Sequence, residues 1–127
     1  MDKILAEISA GELIDKITIL EIKKEKIRNT EKLVEINKEL NSLNETLKKS
    51  INDESKILNF KNDLKNINLK LWDIEDGKRS AEKNSQFDEK FIELARSVYK
   101  FNDERAKIKL AINDALGSNI KEVKSYE

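Results

Sequence analysis

The sequence predicts an all-α protein, a four-helix antiparallel bundle that forms a single domain over residues 1–127. Three observations indicate this fold class. The chain has no proline and only three glycines, so it lacks the residues that usually separate strands. Its apolar side chains recur at steps of three and four almost throughout, which is the spacing of one helix face. At this length, one domain with its own hydrophobic core is expected.

The first helix is predicted over residues 9–28 and the second over residues 30–51. Ser9 and Glu12 form a capping-box pattern, in which two side chains satisfy free backbone N–H groups at a helix start. The apolar stripe of the first helix would enter the second out of phase, so a turn is placed between Arg28 and Glu31. The second helix carries a narrow seam typical of a coiled coil, formed by Leu33, Ile36, Leu40, Leu43 and Leu47.

The third helix is predicted over residues 56–83, after a polar break at residues 52–55. It repeats the three-four spacing, and pairing outward from the break matches Leu47 with Phe60 and Ile36 with Leu71. Helices two and three are therefore predicted to form a coiled-coil-like hairpin. The apolar residues of the third helix are Ile57, Phe60, Leu64, Ile67, Leu71 and Ile74.

The fourth helix is predicted over residues 88–116, with Gly117 as the glycine that ends it and residues 117–127 as a tail. Residues 120–123 alternate between apolar and charged side chains. They could pair as a short terminal β-pair with residues 4–8.

Composition limits the chemistry and the partners that the chain can use. Without His or Cys, the chain offers no zinc finger, haem ligand, disulfide or thiol nucleophile, and no cofactor is expected. The 25 basic and 25 acidic residues give zero net charge, which argues against binding to nucleic acid or to a membrane surface. No signal peptide or membrane span is seen, so a cytoplasmic location is expected.

The first helix breaks the usual helical pattern because its first turns are apolar on nearly all sides and also carry ionisable groups. A helix that is apolar all round is normally buried, and buried charges need partners. Asp15, Lys16 and Glu21 are therefore candidate members of a charged cluster. An ion-pair network or the rim of a homodimer interface would also explain them.

Arg105 is a second break, because it lies on the apolar stripe of the fourth helix between Phe101 and Ile108. A core-facing arginine needs a carboxylate, which Glu21, Asp15, Glu75 or Asp76 could supply. The result is either a buried salt bridge or an anion-binding arginine in a cleft. Further candidates on neighbouring faces of this helix are Arg96, Tyr99, Asn102 and Asp103.

The third break is the segment around the only tryptophan, Trp72, which joins an acidic cluster to a glycine inside a helix. Glycine in a helix interior costs about 1 kcal/mol relative to alanine. Close approach of another helix or of a ligand would explain Gly77, although the helix could also kink or end there. The candidate residues of this segment are Trp72, Glu75, Asp76 and Arg79.

Four segments of the chain resemble a bacterial family of short helical proteins that is described only as a domain of unknown function. They cover residues 11–23, 71–76, 94–99 and 122–126, and the first three include the three breaks in the helical pattern or lie beside them. The resemblance spans the whole chain. It implies a small, cytoplasmic, all-helical protein, and it supplies no activity, substrate or catalytic residue.

The leading hypothesis for function is a protein-binding or assembly module that most simply binds a second copy of itself as a homodimer. Apolar residues outside the main stripes would line the interface. The sequence identifies no catalytic residue, and a non-enzymatic role is favoured. The interface candidates are Ile19, Ile22, Leu58, Leu69, Ile92 and Leu110.

Two other hypotheses stay open. A Mg²⁺-dependent, all-helical phosphohydrolase acting on a nucleotide or another phosphate would use two acidic pairs, Glu12 with Asp15 and Asp73 with Asp76, as oxygen ligands. A cofactor-free pocket for a small anionic metabolite would instead use Lys16, Arg96, Tyr99 and Arg105.

Overall fold

A computed structural model describes residues 1–123, and its four helices confirm the all-α class and the helical bundle. The helices are α1 (Ala10–Lys26), α2 (Thr30–Ser50), α3 (Leu58–Lys83) and α4 (Glu89–Leu116), with a short 3-10 turn at Glu54–Lys56. Their bounds differ from the predicted ones by at most two residues. Within the described residues, no helix is both long and apolar enough to cross a membrane.

Helix α1 lies at the centre of the bundle and packs against each of the other three helices. This position follows from its sequence, because a helix that is apolar on several faces must be covered on several sides. It contributes more buried apolar side chains than any other helix, and α2, α3 and α4 add most of the others. The buried apolar residues of α1 are Leu13, Ile14, Ile17, Leu20 and Ile22.

The predicted coiled-coil-like hairpin of the second and third helices is wrong. No Cα atom of α2 lies within 8 Å of a Cα atom of α3, because α1 packs against both. The stripes of α2 and α3 match in spacing, but each contributes to the core that surrounds α1, through Ile36, Leu40 and Leu64 among others. The direct hairpin is instead formed by α3 and α4, which pack most extensively against each other.

The two chain ends approach each other, but not as the predicted β-pair. None of the described residues is in a strand, so that prediction is wrong over residues 4–8 and 120–123. Side chains connect the segments: the Ser9 hydroxyl donates to Glu122 Oε1 (3.0 Å), and Asn119 Nδ2 donates to Glu7 Oε1 (3.0 Å). The last four residues of the predicted tail, 124–127, lie outside the described part of the chain.

Both predicted helix ends that rest on specific residues are observed. The Ser9 hydroxyl accepts from the Glu12 backbone N–H (3.1 Å) at the start of α1, and Gly117 ends α4 in the left-handed region at φ 63°. The Glu12 carboxylate does not return to Ser9, because it binds Lys109 of α4. Only one half of the capping box is therefore formed.

Candidate functional site

The centre of the candidate site is Asp15, a carboxylate on α1 with no solvent exposure. Arg105 of α4 binds it with one edge of its guanidinium, the edge formed by Nε and Nη2. Its Nε donates to Oδ1 (3.0 Å) and Oδ2 (3.1 Å), and its Nη2 also donates to Oδ2. Because paired donors match the two carboxylate oxygens, this contact fixes the orientation of the Arg105 side chain. Of the four carboxylates considered from the sequence, Asp15 is thus the partner of Arg105.

Two neutral side chains complete the surroundings of Asp15. Asn68 of α3 donates through Nδ2 to Asp15 Oδ1 (2.9 Å) and to Thr18 Oγ1 (2.9 Å), and the Thr18 hydroxyl donates to the Asp15 backbone carbonyl (2.8 Å). Both acceptors require a donor from Asn68, so the amide nitrogen must face inward. The Asn68 amide oxygen therefore faces away from Asp15, and it makes no hydrogen bond within residues 1–123.

A second ionic contact joins α1 to α4 one turn away from Asp15. Lys109 Nζ donates to Glu12 Oε2 (2.6 Å) and lies 3.4 Å from Glu122 Oε2 and 3.8 Å from Asp15 Oδ2. Burial opposes the charge on Glu12, but the hydrogen bond and the positive charge of Lys109 outweigh it. The pKa of the Glu12 carboxyl is consequently lowered from its ordinary value. Hydrogen bonding to Asp15 likewise raises the pKa of Arg105, against the effect of its partial burial.

The close approach of α1 to α4 depends on Gly11. A Cβ atom at this position would lie 2.5 Å from the Lys109 carbonyl oxygen, so no larger residue fits without a backbone shift. The Gly11 N–H donates to the buried Asn113 side chain (Oδ1, 2.7 Å). At Gly77, where the sequence left open a close approach, a kink or a helix end, a Cβ atom would lie 3.0 Å from the Leu94 side chain of α4. Both glycines therefore mark helix–helix contacts.

An open cleft of about 290 Å³ lies beside the Asp15 contact, between α1, α3 and α4. We call it the Trp72 cleft. Its apolar surface comes from Ile19, Ile22, Leu71 and Trp72, and polar side chains surround that surface. Arg105 lines the cleft with its outer edge while its inner edge binds Asp15. The polar lining consists of Asn68, Glu75, Asp76, Arg79, Asn102 and Arg105.

Half of the twelve candidate residues from the sequence line this cleft. They come from α3 and α4 and are Trp72, Glu75, Asp76, Arg79, Asn102 and Arg105. Asp15 is also part of the arrangement, because it binds Arg105 from behind.

The other five candidates lie elsewhere. Lys16 is exposed and 3.6 Å from Glu12, and Glu21 faces Lys61 of α3 at 3.3 Å. Arg96 and Tyr99 lie on the outer face of α4, where Tyr99 is 54% exposed. Asp103 lines a second groove, of about 780 Å³, formed by α4 and residues 121–123.

The four acidic residues of the magnesium hypothesis do not form one cluster. Glu12 and Asp15 contact Lys109 and Arg105, respectively, and Asp73 is exposed. Within residues 1–123, no group of three or more Asp, Glu, His or Cys side chains is placed to hold a metal ion.

Two residues of the site were missed from the sequence, Asn68 and Lys109. Asn68 lies on the apolar stripe of α3, one turn from Leu64, and an amide at a core position was the available signal. Lys109 follows Arg105 and precedes Asn113 at steps of four. A row of three polar residues on one face of an otherwise apolar helix predicts a polar helix–helix contact.

The fold and the site together define a small all-helical module with a buried polar contact between helices and an open amphipathic cleft beside it. The chain belongs to a family of unknown function, DUF6165, whose model matches residues 4–127. No curated protein and no solved structure matches the chain. The family assignment agrees with the resemblance found from the sequence.

Proposed function

We propose that this protein is a binding module that takes a small ligand with a carboxylate or similar anionic group into the Trp72 cleft. One observation carries the proposal. Arg105 is held in a fixed orientation by a fully buried carboxylate, Asp15, and still forms part of the cleft wall. A guanidinium fixed in this way is preorganised for a planar anion, because less side-chain freedom is lost when the ligand binds.

Arg105 retains hydrogen-bond donors for such a ligand. Its Nε and one N–H of Nη2 bind Asp15, whereas the only acceptor that Nη1 reaches among residues 1–123 is Asn102 Oδ1, at 3.5 Å. A guanidinium has five N–H groups, so donors on the outer edge remain available. Arg79 adds a second guanidinium to the same cleft from α3, and it is exposed and therefore free to move towards a ligand.

The size and lining of the cleft favour a small molecule. A volume of about 290 Å³ is near the lower end for ligand pockets, which are mostly apolar and carry a few polar groups that orient the ligand. Ile19, Ile22 and Leu71 supply the apolar surface, and the Trp72 ring adds a large flat side chain.

The single tryptophan allows a direct test by NMR, because its indole N–H gives one resonance that reports on the cleft. The probes are L-leucine, L-phenylalanine and their deaminated analogues, 4-methylpentanoate and 3-phenylpropanoate. We expect a saturable shift of the Trp72 signal with at least one of them. Arg79→Gln should weaken that binding about tenfold, which corresponds to the loss of about 1.4 kcal/mol.

Arg96→Gln is the matched control, because Arg96 is an exposed arginine that does not line the cleft. It should bind the probes as the unmodified protein does. The absence of a saturable shift with all four probes would reject the proposal, as would equal weakening by the Arg79 and Arg96 variants.

As a second function we propose self-association through the outer face of α4. This proposal limits the assembly-module hypothesis to a single surface of the protein. Ile92 and Leu110 are 52% and 46% exposed and lie about five helical turns apart, so they fall on one line along the helix with Tyr99. An antiparallel second copy would place Ile92 opposite Leu110. The same surface of each copy would then face the other, so the contact would be self-complementary.

The oligomeric state tests this surface. Sedimentation should show a concentration-dependent dimer for the unmodified protein and a monomer for Ile92→Glu. Val34→Glu, which changes an exposed apolar residue on α2, should leave the dimer intact. A monomer at all concentrations, or a dimer unaffected by Ile92→Glu, would reject this second proposal.

Not every dimer candidate from the sequence is available for such an interface. Ile22 is 1% exposed and Ile19 lines the Trp72 cleft, because α1 lies inside the bundle. Leu58 is exposed but lies on α3, outside the α4 surface.

A further inference from the structure

We infer that the ligand of the Trp72 cleft is a zwitterion of the α-amino acid class, which carries an ammonium group as well as a carboxylate. The inference rests on the proposed function of the cleft and adds the chemical class of the ligand. Its basis is that the cleft presents hydrogen-bond acceptors beside its two guanidinium groups.

The acceptors lie on α3, along the side of the cleft that also carries Trp72. Glu75 faces Lys78 at 3.5 Å, which leaves its carboxylate largely available, and it is partly exposed. Asp76 follows it in the chain, and the Asp76 side chain has no ion pair or hydrogen bond among residues 1–123. The same helix contributes Arg79, so both signs of charge surround one small volume.

The balance of charge in the cleft disfavours a simple anion. Arg105 is already neutralised by Asp15, which leaves Arg79 against Glu75 and Asp76. An anion alone would lie beside two carboxylates, and like charges at short distance repel. A cation alone would leave the two arginines without an anionic partner from the ligand. A zwitterion presents each charge to groups of opposite sign.

Asn68 supplies an independent observation. This side chain is 6% exposed, and its amide nitrogen is committed to Asp15 and Thr18. Asn68 lines the cleft, and its amide oxygen has no hydrogen-bond partner within the described residues. Such an acceptor needs a donor when a ligand displaces water from it. An ammonium group supplies that donor, and a carboxylate does not.

The cleft thus offers a position for each part of an amino acid. The carboxylate would lie at the outer edge of Arg105 and near Arg79, and the ammonium group near Asn68 and Glu75. An apolar side chain would pack on Ile19, Leu71 and Trp72. The apolar lining favours an aliphatic or aromatic side chain over a charged one.

Calorimetric titration with two sets of three probes tests the inference. The first set is L-leucine, 4-methylpentanoate, which lacks the ammonium group, and 3-methylbutylamine, which lacks the carboxylate. The second set is L-phenylalanine, 3-phenylpropanoate and 2-phenylethylamine. We expect one amino acid to bind at least about tenfold more tightly than both of its analogues.

Glu75→Gln tests whether the Glu75 carboxylate binds the ammonium group of the ligand, as opposed to affecting all binding in the cleft. It should weaken binding of the amino acid severalfold and leave binding of the deaminated acid unchanged or slightly stronger. Glu104→Gln, on an exposed residue of α4 outside the cleft, is the control that should change neither.

The possible outcomes separate this inference from the proposed function. If the deaminated acids bind as tightly as the amino acids and Arg79→Gln weakens both, the cleft binds anions and the zwitterion inference is wrong. If the amines bind most tightly, both are wrong. If no probe binds, the proposed function fails and the inference fails with it.

Discussion

Helix α1 contacts α2, α3 and α4, whereas α2 contacts α1 alone among the helices. The two neighbours also differ in what they bury. The buried residues of α2 are Ile36, Leu40 and Leu47, which are all apolar. Helix α1 buries Asp15 and Thr18 together with its apolar residues. The same bundle therefore contains a helix held by apolar packing and a helix held by packing and specific polar contacts.

This difference shows which helix contacts require particular residues. Apolar packing tolerates substitution, because many apolar side chains of similar volume fill the same space. The partners of a buried carboxylate do not tolerate substitution in the same way, because the carboxylate needs hydrogen-bond donors at particular positions. The Trp72 cleft is formed by α1, α3 and α4 and receives nothing from α2. Helix α2 thus completes the core, and the helices that share the polar contact form the cleft.

The largest expected effect is the loss of the Asp15 carboxylate. Asp15→Asn keeps the shape of the side chain but leaves Arg105 facing an amide, and breaking one side of a buried pair typically costs about 3–5 kcal/mol. We expect the free energy of unfolding, measured with urea, to fall by an amount in that range. Asp63→Asn, at an exposed position of α3, is the control and should change it little. A loss below about 1 kcal/mol at Asp15 would show that the contact is not structural.

A smaller loss is expected when α2 is altered. Leu40→Ala removes a buried side chain that is 7% exposed, and we expect a cost of about 2–3 kcal/mol from lost packing and the resulting cavity. The folded variant should still bind the probes of the Trp72 cleft with unchanged affinity. If Leu40→Ala weakened probe binding while the protein remained folded, the separation between α2 and the cleft would be wrong.

Helix bounds could be predicted from the sequence because they depend on local residues. Ser9 begins α1 and Gly117 ends α4 through contacts with nearby backbone groups. The pairing of helices could not be predicted in this way. The stripes of the second and third helices match in spacing, but only the three-dimensional structure shows that α1 separates them.

Only part of the candidate site could be predicted, because the site also depends on how the helices pair. A core-facing Arg105 indicated that a carboxylate must be near, but choosing Asp15 among four requires the register of α1 against α4. Asn68 was missed because one amide in an apolar stripe has no local pattern of its own. Its importance comes from Asp15 and Thr18 on another helix.

Gly11→Ala tests the closeness of α1 and α4. The added methyl group would lie 2.5 Å from a backbone carbonyl oxygen, which cannot move without its helix. We expect a loss of about 1–3 kcal/mol in the free energy of unfolding. Gly77→Ala is the matched variant, because its methyl group meets only the Leu94 side chain and alanine favours the helix by about 1 kcal/mol. Its net effect should be near zero, and equal losses in both variants would contradict this account.

The smallest effect concerns Glu12 and appears only on acidification. The pKa of Glu12 is lowered in the folded protein below the ordinary value of a glutamate, so the unfolded chain takes up a proton first as the pH falls. The contribution of the Glu12–Lys109 contact is therefore complete above about pH 4.5 and is lost as the pH falls below it. Because Glu12 is partly exposed, we expect this contribution to be about 1 kcal/mol or less.

Urea unfolding of the unmodified protein and of Glu12→Gln at pH 6 and at pH 3 measures this contribution, since other carboxylates affect both proteins alike. The difference in the free energy of unfolding should be present at pH 6 and nearly absent at pH 3. Glu104→Gln, which removes an exposed carboxylate, should show little difference at either pH. If the Glu12 difference persisted at pH 3, packing of its side chain and not its charge would hold this end of α1 against α4.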